Sequence, residues 1–209
     1  METLATSFRA AAILGVLSIF GALVPAQVSS GAGNAPPQAS TPVQDPIRSS
    51  DTSKQLEKKK TGQDRKFLKG AIEHGLGEVQ LGQLALEKGD SEPVRQFGSR
   101  MVDDHTKMDA ELQLIAERLG VSVSARMTRK DRKALVKLSK LSGPAFDQAY
   151  IKSMVQDHTD HLRVFQAEAA SGQDTLAKDQ AVRGSRTIND QLQVAQQMAM
   201  NRKIDLAGR

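Results

Sequence analysis

The chain has no cysteine and no tryptophan, one tyrosine, and aromatic residues at only 3 % of its 209 positions. Without Cys there is no disulfide, thiol nucleophile, iron–sulfur cluster or thiolate zinc site. Scarce aromatics count against a β-sandwich or barrel, whose strands draw on Tyr, Phe and Trp. They also leave few platforms for stacking single-stranded bases. The net charge is only +5, from 29 basic and 24 acidic residues. That is mildly basic rather than a nucleic-acid signature, and no nucleic-acid partner is expected. Glycine-rich phosphate loops, the G-x-S-x-G elbow and H-E-x-x-H are all missing. The chain is not expected to be an enzyme.

What is present begins with an export signal. Residues 1–26 read as a secretory signal peptide. Arg9 supplies its charge, Ala10–Val24 its apolar run, and Val24-Pro25-Ala26 a small-residue cleavage site before Gln27. The run is shorter than the ~20 residues that span a bilayer. No twin Arg and no lipid-bearing Cys accompany it, so the expected location is the periplasm or outer envelope. Residues 27–60 are rich in Pro, Ser and Gly and read as a disordered linker. The linker ends in a charged stretch, Lys54–Lys60, with the character of a frayed helix start or a solvated tail.

Residues 61–209 carry the domain, and its period is helical. The first helix is expected over about Asp64–Lys88, closed by Gly89-Asp90. Ser91 reads as the N-cap of the second, with Pro93 in its first turn. Its stripe is Val94, Phe97, Met101, His105, Met108, Leu112, Ile115 and Leu119, with spacings of three and four, and Gly120 ends it. A third long helix is expected over 144–172. A fourth follows over 175–202, capped by Asp174 and kinked or interrupted at Gly184-Ser185. The crossover, 121–143, holds a short helix of about 129–141 behind a capping-box-like Thr128–Asp131. Short outer links and a long middle one predict an all-α, ferritin-like four-helix bundle with a partly helical crossover between the second and third long helices.

The crossover is strongly basic: seven Lys and Arg stand against Asp131 alone, a net +6. It reads either as a solvated connector packing Leu135, Leu138 and Leu141 inward, or as a contact for an anionic membrane surface through Arg126, Arg129, Lys130, Arg132, Lys133 and Lys137. An internal echo is also present. Phe97 and Met101–Thr106 (MVDDHT) return 53 positions later as Tyr150 and Met154–Thr159 (MVQDHT), as two helical hairpins related by pseudo-symmetry would give.

Polar residues inside the seams carry the functional question. His105, His158 and His161 face inward, His74 sits at the edge of its stripe, and Glu78 falls inside the apolar arc of the first helix. Glu78, His105 and His158 each lie near mid-helix, so they should converge at mid-bundle. Two readings stay open. In one, Glu78, His105, His158 and His161 hold a transition metal ion, with Asp104, Asp109 or Asp157 as further ligands or supports. In the other they form a buried network in which Glu78 accepts from imidazole N–H groups. Di-iron bundles take Glu from two helices and Glu-x-x-His from two more. Here Val102 and Val155 precede the two His by three, so that set is incomplete. Met101, Met108 and Met154 beside the same His would suit copper, or simply fill the core.

The segments FLKGAIEHGLGEVQLGQLAL, FGSRMVDDHTKMDAELQLIAERLGV and FDQAYIKSMVQDHTDHLRVF, with the Ala/Gln-rich end, resemble the bacterial family called domain of unknown function 4142. The resemblance spans about residues 62–200. Its matching positions are Glu78, Asp104-His105, Phe146-Asp147, Tyr150 and Asp157-His158. It implies an exported, ferritin-like helical bundle and no particular activity. Members often carry Leu-Pro and then His near the start of the last helix, where this chain has Arg186 and Gln191. The expectation is therefore an envelope binding or stress-associated bundle, with a Glu/His metal site as the alternative.

Overall fold

The structure is a computed structural model that describes residues 47–206, with side chains from Gly62 onward. The expected signal peptide and linker residues 27–46 lie outside the described residues. Five helices follow in order: α1 Ile47–Lys88, α2 Glu92–Arg118, α3 Arg129–Leu138, α4 Gly143–Ser171 and α5 Thr175–Asn201. No strand occurs among the described residues. The fold is the expected all-α bundle with a helical crossover.

Four boundaries depart from the expectation. α1 begins at Ile47 rather than Asp64, so residues 47–60 are helix and not linker. From 47 to 61 the chain has neither Gly nor Pro, and Lys54–Lys60 consists of good helix formers. α3 stops at Leu138, three residues early. Ser91 precedes α2 but makes no side-chain cap. Its hydroxyl instead donates to Asp147 Oδ2 at 2.6 Å. α5 runs unbroken through Gly184. That glycine is there for close approach: a Cβ on it would lie 2.3 Å from Phe165 Cε1.

Contacts at the two ends fix the direction of each helix. Asp147, fully buried near the start of α4, accepts from Asp90 N at 2.9 Å and Ser91 N at 3.1 Å. Arg202, just past α5, pairs with it at 3.0 Å. At the opposite end, buried Asp64 on α1 accepts from Gln173 N at 2.8 Å and Asp174 N at 3.3 Å. Each hairpin loop is thus held by a carboxylate from the other hairpin. α2 therefore runs parallel to α4 and α1 parallel to α5, and neighbours around the bundle are α1–α2, α2–α5, α5–α4 and α4–α1. The hairpin relation pairs α1 with α4. The MVDDHT/MVQDHT echo instead joins α2 to the diagonal α4, so hairpin symmetry is not its source.

The core has two apolar halves. One gathers Leu81, Phe97, Met101, Tyr150 and Met154 at the Asp147 end. The other gathers Phe67, Leu68, Met108, Leu112, Phe165 and Ile188 at the Asp64 end. The three methionines near the His residues belong to these clusters, as core packing. All five aromatics of the domain are buried. Between the two halves lies a layer of polar side chains.

Candidate metal centre

Glu78, His105 and His158 meet in that middle layer, contributed by α1, α2 and α4. Each offers one ligand atom, and these atoms lie within 4.8 Å of one another. All three residues are buried, Glu78 completely. Neither ring nitrogen of His105 has a hydrogen-bond partner among the described residues, and Glu78 meets only the charged ring of His74, 3.3 Å from its Oε1, and the Asp157 carboxylate. Native interiors rarely leave such groups unmatched, because each forgoes hydration for nothing in return. The Tyr150 hydroxyl, also buried, has no partner either. Burial, then the nearby Glu78, pushes its pKa well above the ordinary phenol value.

His158 is oriented from behind. Its Nδ1 lies 3.0 Å from the Met154 carbonyl, one turn back on α4. Its Nε2 lies 3.2 Å from Gln191 Oε1 on α5, whose amide Nε2 donates to Asp104 Oδ2 at 3.0 Å. Burial pulls His158 down to about 4, so the ring is neutral near pH 7. A neutral ring has one proton for these two acceptors. With that proton on Nδ1, facing the carbonyl, Nε2 is left as a bare donor atom aimed into the layer. This is the tautomer that metal-ligating imidazoles adopt. Burial, and then the charges of His158 and His74, hold His105 well below its usual value, so it too is a neutral donor.

A second group adjoins the first through Glu78. His74 Nε2 lies 2.9 Å from Asp157 Oδ2 and 3.3 Å from Glu78 Oε1, while Nδ1 lies 3.0 Å from Asp131 Oδ2. Burial opposes charge on this ring, but Asp131 and Asp157 outweigh it and raise His74 well above 6.5. His74 is therefore an imidazolium held among carboxylates. Burial raises Glu78 strongly, against the attraction of His74. Asp157 is also penalised by burial, yet His74, Glu78 and Lys130 hold it well below the carboxylate range. Lys130 Nζ reaches Asp157 Oδ1 at 2.5 Å. His74, Glu78, Asp131 and Asp157 also each offer one ligand atom within 4.8 Å of the others.

Local structure explains why Asp131 is there. Thr128 caps α3 by accepting from Asp131 N at 3.1 Å. In a full capping box the acid would reach back to the Thr128 amide. That amide instead donates to Glu73 O at 3.2 Å, and Asp131 Oδ2 accepts from the Thr128 hydroxyl while facing His74. The approach needs Gly77, where a Cβ would lie 2.5 Å from Asp131 Cβ.

The sequence matches a family model. The model for Domain of unknown function (DUF4142) covers residues 49–198. The chain belongs to the DUF4142 family. That description assigns no activity. No curated protein and no solved structure matches the chain.

Within this family member, the sequence-derived residues separate. Glu78, His105 and His158 come together as expected. His161 does not join them: its ring packs edge-on against His74, centroids 3.9 Å apart, and against Phe165. It sits about one turn along α4 from His158. Asp104 supports the site through Gln191, and Asp157 through His74. Asp109 lies over Gly75 with both oxygens unpartnered, and burial pushes it up to about 7. Of the cationic crossover, Lys130 is no free surface charge, because it bridges Asp157 and Asp160. Arg129, Arg132 and Lys133 lie on the outer face of α3 around exposed Val136, with Lys137 between that face and the α4 side and Lys140 just past the helix end. Arg126 precedes them, exposed. Sequence reasoning missed His74, Asp131 and Gln191 as members of the cluster. The available signals were Gln191 on an inward arc and the i,i+4 spacing of His74 and Glu78.

Proposed function

We propose that this protein is an exported, metal-binding helical bundle of the cell envelope, with Glu78, His105 and His158 as ligands. One observation carries the reading: Glu78, His105 and His158 are buried and each offers one ligand atom within 4.8 Å of the others, while both ring nitrogens of His105 lack a hydrogen-bond partner among the described residues. Two imidazoles and one carboxylate suit borderline divalent ions such as zinc, iron(II) or copper(II). Bound there, the ion would supply positive charge to a layer that holds several carboxylates. Gln191 Oε1 stands 3.2 Å from His158 Nε2 as a fourth candidate ligand atom. The reading is of binding and not turnover, because the paired Glu-x-x-His of di-iron bundles is missing. Export rests on residues 1–26, which have the three-part pattern of a signal peptide.

The test is element analysis of protein purified from the periplasm without a His tag. About one divalent transition metal per chain is expected, falling below about one tenth in His105→Ala and Glu78→Gln. Less than about one tenth in the wild type, with no thermal shift on adding iron, copper, zinc or manganese, would overturn the proposal. A second reading concerns the outer face of α3. The five cations on and just past it have no carboxylate partner among the described residues, which supports peripheral contact with an anionic membrane surface.

A further inference from the structure

α3 does not close down on α4. Between them lies a cleft of about 630 Å³. Its floor is apolar, built from Leu81 and Leu138, both 2 % exposed, with Ala134 and Ala149 beside them. The opening exists because α4 presents small residues there: Ala145, Ala149 and Ser153 repeat every four positions along one face. Such a volume falls in the range of small-molecule sites.

Its charges are arranged unequally. At one end the cleft reaches Asp131 and Asp157, but His74 and Lys130 already pair with these carboxylates. Lys137 on the α3 wall and Lys152 on the α4 wall have no carboxylate partner among the described residues. Lys152 is half-buried. Two cations on opposite walls above an apolar floor would both attract an anion placed between them. The cleft is therefore complementary to a molecule with a negative head and an apolar body.

We infer that the α3–α4 cleft binds an amphiphilic organic anion. Lys137 and Lys152 hold its carboxylate or phosphate head, and Leu81, Ala134, Leu138 and Ala149 receive its chain. The site is separate from the metal ligands, so either assignment stands if the other fails.

Isothermal calorimetry on the purified chain tests this with four probes: dodecanoate below its micelle concentration, dodecyl phosphate, acetate and dodecyl maltoside. Dodecanoate and dodecyl phosphate should bind one per chain, and the tighter of the two identifies the head. Acetate, which lacks the chain, and dodecyl maltoside, which lacks the charge, should bind at least about tenfold more weakly. Lys137→Glu with Lys152→Glu removes the head contact, and Ala149→Phe fills the cleft. Each should weaken dodecanoate about tenfold or more while far-UV circular dichroism stays unchanged. Lys137 is exposed and Lys152 only half-buried, so the charge variant reports even if the Phe does not pack. No binding of either anion, equal binding of dodecyl maltoside or acetate, or undiminished affinity in the charge variant would each overturn the inference.

Discussion

His158 Nε2 and Gln191 Oε1 face each other at 3.2 Å, while His158 Nδ1 is held 3.0 Å from the Met154 carbonyl. One proton cannot serve both contacts, and burial holds the ring near 4, so a second proton is not taken up at neutral pH. A cation beside the two facing atoms resolves the conflict. Gln191→Glu should therefore tighten divalent-metal binding, and Gln191→Leu should weaken it by about 10–100-fold. Competition against a chromophoric chelator measures both. In metal-free protein, Gln191→Glu should also lift the His158 pKa from about 4, read by NMR titration. Identical metal affinity in wild type and both variants would remove Gln191 from the site.

Asp109 gives a pH signature. Burial raises its folded pKa from 3.8 to about 7. A raised carboxyl favours the folded state at low pH and penalises it once the unfolded chain ionises. The penalty grows from about pH 4 to pH 7 and is constant above. Asp109→Asn should leave metal-free stability unchanged near pH 4 and raise it by about 2–4 kcal/mol at pH 8. Urea midpoints across that range check it. A difference independent of pH would contradict the assignment.

The two loop-holding carboxylates should differ in weight. Asp147 takes two amides and a hydroxyl and faces Arg202, whereas Asp64 takes two amides. Asp147→Ala should cost about 3–5 kcal/mol, since it strands a cation and three donors. Asp64→Ala should cost about 1–3 kcal/mol. Chemical denaturation fixes the order, and a larger loss at Asp64 would reverse this account.

Glycine substitutions separate packing from propensity. At Gly70 a Cβ meets nothing within 4 Å, so Gly70→Ala should stabilise α1 by about 0.5–1 kcal/mol. At Gly77 a Cβ would collide with Asp131, so Gly77→Ala should destabilise by about 1–3 kcal/mol. It should also free α3, seen as faster amide exchange over residues 129–138. Equal effects at the two sites would mean that α3 does not rest on α1 as described.

How far the sequence showed this depends on the range of the interaction. The α2 stripe follows from spacing alone, and Glu78, His105 and His158 were placed at one level by counting residues from the helix ends. Local rules misled where a side chain had a distant partner. Ser91 looks like a cap, but its hydroxyl goes to Asp147, 56 residues away. Asp131 looks like half of a capping box, but its carboxylate goes to His74, 57 residues away. His161 faces inward like His158, yet its ring packs against His74 and Phe165 instead of joining Glu78, His105 and His158. Periodicity says which way a residue points and not what stands opposite. At Gly184 the same gap produced a kink on paper where Phe165 needed room.

The crossover poses the same question at the surface. Of its seven cations, only Lys130 has carboxylate partners, Asp157 and Asp160, among the described residues. The fold uses that one, and the others carry repulsion with no internal return. Arg132 and Lys133 lie on the outer face of α3, and Lys140 just past its end. Each cation near an anionic surface is worth about 1 kcal/mol, and screening shortens from about 30 Å at 0.01 M salt to about 8 Å at 0.15 M. The protein should therefore sediment with phosphatidylglycerol vesicles at low salt, less at moderate salt, and not with phosphatidylcholine. Changing Arg132, Lys133 and Lys140 to Glu should abolish the association while stability moves by less than about 0.5 kcal/mol, since no internal ion pair is lost. Lys137 is left in place, so the α3–α4 cleft keeps the two lysines assigned to the head group. Failure of the wild type to sediment at either salt would show that this charge serves no anionic surface.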